Sequence, residues 1–113
     1  MTLYAPFFET ACPREWSQVL DEVWATPFVT AIPGHGPPMT RAQFNTYRSA
    51  YNAFVDCVRS DREAAQCGAV WADGIASLTP DPARHAAIAD NAVYYVGMLR
   101  QHGAKSLDCQ LPD

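Results

Sequence analysis

The sequence predicts a small, mostly α domain with one or two short strands. Three observations carry that expectation. Hydrophobic residues fill 49% of the 113 positions and charged residues only 18%, a balance that excludes a disordered chain and allows a real core. Four stretches place apolar residues at helical spacing. Between the first and second of them lies a β-branched and aromatic run that ends in a loop of prolines and glycines.

The first helical stretch follows Cys12-Pro13 and carries Trp16, Val19, Leu20, Val23 and Trp24 on one face. Proline suits an early helical position, where its missing N–H would have no partner anyway. Pro27 ends this stretch, and Phe28–Ile32 reads as a short strand. Its backbone groups need a neighbouring strand, which is either Leu3–Phe8 or a segment outside this chain. The run Pro33-Gly34-His35-Gly36-Pro37-Pro38 then forms a tight loop.

Thr40 and Gln43 fit a capping box, each side chain satisfying a backbone N–H of the other. The helix they open carries Phe44, Tyr47, Tyr51, Phe54 and Val58, an aromatic stripe suited to core packing. Ser60 and Glu63 read as a second capping box, opening a helix with Cys67, Trp71, Ile75 and Leu78 inward. Asp81 as N-cap and Pro82 at the first position start the last helix. Its inward face is Ile88, Ala92, Tyr95, Val96 and Leu99, and Gly103 stops it. Residues 104–113 show no periodicity.

Charge and hydropathy exclude several functions. Eight basic against twelve acidic side chains give a net charge of −4. The basic residues are one lysine, Lys105, and seven scattered arginines, without the clustered cations that nucleic acid requires. Apolar runs such as Val93–Val96 fall far below the roughly 20 residues of a membrane span. The start Met1–Phe8 lacks the basic and long apolar regions of a signal peptide.

The most specific chemical feature is the strand and loop Ala31-Ile32-Pro33-Gly34-His35-Gly36-Pro37-Pro38-Met39-Thr40-Arg41. A histidine between two glycines sits on a backbone that can approach a ligand closely, which suits a metal ligand. With the amphipathic helix before it and the capped helix after it, the run resembles the C-terminal part of metallo-β-lactamase-fold hydrolases. The resemblance covers roughly residues 5–60 and is most specific through residues 28–41. It implies that residues 1–59 are the C-terminal portion of an αββα sandwich and that residues 60–113 are a helical extension and tail. It also implies that His35 is the last zinc ligand, with Pro33, Gly34 and Gly36 supporting it.

The departures define what this chain alone is expected to do. The family carries a His-x-His-x-Asp-His cluster, a further histidine and a bridging aspartate. This sequence has three histidines, at 35, 85 and 102, and no His-x-His. A catalytic zinc needs three protein ligands and an open position for water, and the sandwich needs a chain about twice this long. The expectation is therefore one ligand of a zinc site in an intact parent enzyme, which reads the start at Met1 as a cut through that fold. By itself the chain should hold no tightly bound zinc and catalyse no hydrolysis. Its partner is then the missing N-terminal half of the fold or a second copy of itself, with no role for nucleic acid or membrane. The alternative is a small, non-enzymatic helical interaction module that self-associates or binds a partner through an exposed apolar face.

The cysteines, Cys12, Cys57, Cys67 and Cys109, form no Cys-x-x-Cys pair, which argues against a structural zinc. Cys57 falls in the last turn of the aromatic helix and Cys67 in the second turn of the next. A helical hairpin brings those turns together, so a Cys57–Cys67 disulfide is geometrically reasonable. Cys12 and Cys109 are then left to pair across the ends. Bridges would place the parent outside the reducing cytosol, in the periplasm for example. Four buried thiols in a reducing cytosol are the competing reading. Among other candidates, His85 and His102 read as surface residues at helix ends, and Asp56, Asp61, Asp73 and Asp90 form no acid–base pair. Arg41 either contacts an anionic substrate or is a first-turn surface residue, the second being the simpler expectation.

Overall fold

The computed structural model describes residues 13–33, 37–79 and 81–101. Among them the chain forms a mostly helical small domain of four α-helices and a two-stranded antiparallel hairpin. Helix α1 is Pro13–Ala25, strand β1 Thr30–Ala31, strand β2 Met39–Thr40, helix α2 Arg41–Val58, helix α3 Ala64–Gly74 and helix α4 Pro82–Gln101. A single 3-10 turn, Ala76–Leu78, links α3 towards α4.

Helix α2 is the hub. Thr40 accepts a bond from the Gln43 backbone N at 3.1 Å, and the Gln43 side chain accepts from the Thr40 N at 2.9 Å, which closes the expected capping box. Phe44, Tyr47, Tyr51, Phe54 and Val58 are all buried. Against them α3 presents Trp71, itself fully buried. Its indole lies 5.4 Å from the Tyr47 ring and 6.3 Å from the Tyr51 ring, both nearly edge-to-face, and 6.1 Å from Phe54. These are the favoured geometries of aromatic pairs. On α4, Ile88, Ala92, Tyr95, Val96 and Leu99 are buried as the spacing predicts.

Two glycines let α3 fit between its neighbours. A Cβ on Gly68 would stand 2.6 Å from Val93 Cγ2 and 2.8 Å from the Ala89 carbonyl on α4. A Cβ on Gly74 would stand 2.6 Å from the Ala50 Cβ on α2. Neither contact is tolerable, so both crossings require glycine.

Helix α3 starts later than the sequence pattern suggests. Its N-cap is Glu63, whose backbone N donates to the Gln66 side chain at 3.1 Å. The predicted Ser60–Glu63 box does not form, because Ser60 is taken up by the end of α2. Its hydroxyl donates to the Cys57 carbonyl at 2.6 Å and accepts from the Arg62 N at 3.2 Å. Cys67 consequently lies in the first turn of α3, not the second. It is joined to Cys57 by a disulfide across 5.5 Å between Cα atoms, at the head of the α2–α3 hairpin. Cys12 and Cys109 lie outside the described residues. Asp81 caps α4 as expected, accepting from the Ala83 N at 3.0 Å.

The strand differs most from expectation. Only Thr30–Ala31 of Phe28–Ile32 is strand, and its partner among the described residues is Met39–Thr40, while Leu3–Phe8 lies outside them. Thr30 pairs with Thr40 and Ala31 with Met39. The loop turns the chain back on itself, and the two residues before α2 supply the missing ladder. The backbone N of Arg41 adds a bond to the Val29 carbonyl at 3.1 Å.

Helix α1 lies along α2, held at its start by the Tyr51 hydroxyl donating to the Pro13 carbonyl at 3.0 Å. Leu20 is buried, Trp16 and Trp24 are half-buried, and Val19 and Val23 are 42% and 37% exposed. The predicted apolar face is therefore only partly covered, because α2 supports one flank of it.

Gly68→Ala should lower the unfolding free energy by about 1–3 kcal/mol, the usual effect of forcing a group into a packed core. Gly97, also helical but with open space at its Cβ, should gain up to about 1 kcal/mol as alanine. Urea denaturation of both variants measures the pair. The disulfide closes a loop between residues 10 apart, so a Cys57→Ser/Cys67→Ser variant should lose about 2–3 kcal/mol through the unfolded state.

Candidate functional site

The hairpin places the two ends of the Pro33–Pro38 loop beside the start of α2. Pro33 is half-buried, whereas Gly34, His35 and Gly36 lie outside the described residues. What the structure describes is the framework that holds the loop's ends.

Arg41 is the centre of that framework. Its Nη2 donates to the Trp24 carbonyl at 2.6 Å and its Nη1 to the Thr26 carbonyl at 2.8 Å. Carbonyls at a helix C-terminus have no intrahelical partner, and the guanidinium fork meets two that end α1. The same flat group stacks 4.0 Å from the Trp24 ring centroid and 4.6 Å from that of Phe28. Phe28 in turn meets Phe44 edge-on at 5.2 Å. One side chain thus ties together the end of α1, the approach to β1 and the first turn of α2. Arg41 is committed to this framework through both its fork and its faces. No sequence pattern marks it, since its partners are backbone oxygens 15 and 17 residues away.

Beside this framework an apolar groove of about 310 Å³ opens between α1 and the hairpin. Val23, Phe28, Ile32, Met39 and Phe44 line it. Val29 and Ile32 stand 84% and 83% exposed, an unusual setting for β-branched residues next to a strand.

Other titratable groups lie away from the loop. His85, in the first turn of α4, pairs through Nε2 with Asp73 Oδ1 at 3.1 Å, fastening α4 to the end of α3. Asp56, Asp61 and Asp90 are exposed. His102 lies outside the described residues. Among the described residues no group of three histidine, cysteine, aspartate or glutamate side chains is placed to hold a metal ion. Near the disulfide, Arg100 donates to the carbonyls of Cys57, Val58 and Ser60, each at 3.0 Å, and lies 3.7 Å from Cys67 Sγ. It caps α2 from another helix, a structural role that the sequence pattern does not show.

Two buried tyrosines respond to alkali. Burial pushes the Tyr47 hydroxyl up to about 12, with Trp16 pulling weakly the other way. Burial, reinforced by Tyr47, raises Tyr51 further. A tyrosine that ionises near 10 when unfolded and higher when folded favours the native state below pH 10. That advantage falls as pH rises from 10 towards the folded value, by up to about 1.4 kcal/mol per pH unit for each group. Denaturant midpoints measured from pH 9 to 11.5 should decline accordingly, and Tyr47→Phe should flatten the slope. Arg41→Ala should cost about 2 kcal/mol and Arg41→Lys about half of that, because lysine keeps the charge but not the fork or the flat face. Chemical denaturation of the two variants orders them.

No protein-family model matches the chain, and no curated protein or solved structure shows significant similarity to it.

Proposed function

We propose that this chain is the C-terminal part of a zinc-dependent hydrolase of the metallo-β-lactamase fold, to which it contributes one metal ligand, His35. The observation that carries the reading is the Pro33-Gly34-His35-Gly36 loop, set between a strand and a capped helix. In this reading α1, the hairpin and α2 are the end of the sandwich, and α3 and α4 are an extension braced by the disulfide. The parent works outside the reducing cytosol, since the Cys57–Cys67 bridge persists only where thiols are oxidised.

The apolar groove and the exposed Val29 and Ile32 support the same reading. They lie on the flank of α1 and β1 that α2 leaves bare, where the preceding half of a sandwich would pack. The active protein would then combine this chain with the His-x-His-x-Asp-His portion. This chain alone supplies too few ligands for catalysis.

The exposed flank also favours a second reading, a non-enzymatic helical module that self-associates or binds a partner through it. Size-exclusion chromatography with light scattering, together with thermal melting, separates the two. A well-behaved monomer with cooperative melting would favour the self-sufficient module, and aggregation or an obligate dimer would favour a severed part of a larger fold.

The hydrolase reading is tested on the coding frame upstream of Met1 and on the longer product it specifies. The expected result is a His-x-His-x-Asp-His cluster in that frame and zinc in the product, weakened by His35→Ala. A frame without the cluster would sink the proposal. The 113-residue chain by itself should show substoichiometric zinc in metal analysis, and one tightly held zinc per chain would overturn that part.

A further inference from the structure

We draw no further inference here: the strongest candidate, the polar groove of about 300 Å³ between α1 and α2 lined by Arg14, Ser17, Asn52, Val55, Asp56 and Arg59, carries nothing because every charged side chain in it is exposed and only apolar Val55 is buried there, so nothing in its lining is built to select a ligand.

Discussion

The seating of Trp71 against the aromatic rings of α2 is the constraint on which the rest of the domain depends. Burying an indole removes about 200 Å² from water, worth about 5 kcal/mol at the usual area coefficient. Trp71 Nε1 has no hydrogen-bond partner among the described residues, a penalty of about 1–3 kcal/mol. The area term wins, but only if α2 and α4 both close on α3. Gly68 and Gly74, three residues to either side of Trp71, permit that by removing the side chains that would hold α4 and α2 away. The aromatic stripe, the two glycines and Trp71 are thus one device. The Tyr51 hydroxyl bond to Pro13 then extends its order to the start of α1.

The hairpin side is held by different means. A ladder of two residue pairs is too short to be stable by itself. It persists because Met39 reaches into the core, Phe28 packs on Phe44, and Arg41 clasps the end of α1. Charge-assisted bonds to backbone oxygens make this joint directional, where the Trp71 core is mainly a matter of volume. The domain therefore has a dense side, α2 to α4, and an open side whose apolar groups still face solvent.

Much of the dense side was legible in the sequence because burial on a helix repeats every three or four residues. Every position read as inward on α4 is buried, and the same holds for the α2 stripe. The misreadings have separate causes. Ser60 and Glu63 had the right spacing for a box, yet Ser60 found a better acceptor in the Cys57 carbonyl. The strand partner was missed because two residues, Met39 and Thr40, are too few to alternate. Arg41 reads as a first-turn surface residue because its acceptors are carbonyls 15 and 17 residues away, and a bond between a side chain and a distant backbone atom leaves no periodic trace. At the candidate site, the residue types were legible and the framework that holds the loop ends was not.

That framework bears on what a loop histidine can do. A ligand on a free loop loses conformational freedom when it binds, and the loss weakens binding. Anchoring both loop ends before the ligand arrives removes part of the loss. Here the far end runs into a capped helix whose next residue, Arg41, is already fastened to α1, and the near end is fastened through the Val29 carbonyl. The rigidity lies behind the loop, on the dense side, and the bare apolar flank lies beside it. Among the described residues, anchored loop ends and an uncovered apolar flank therefore stand side by side, the first held by directional bonds and the second left to whatever apolar surface can cover it.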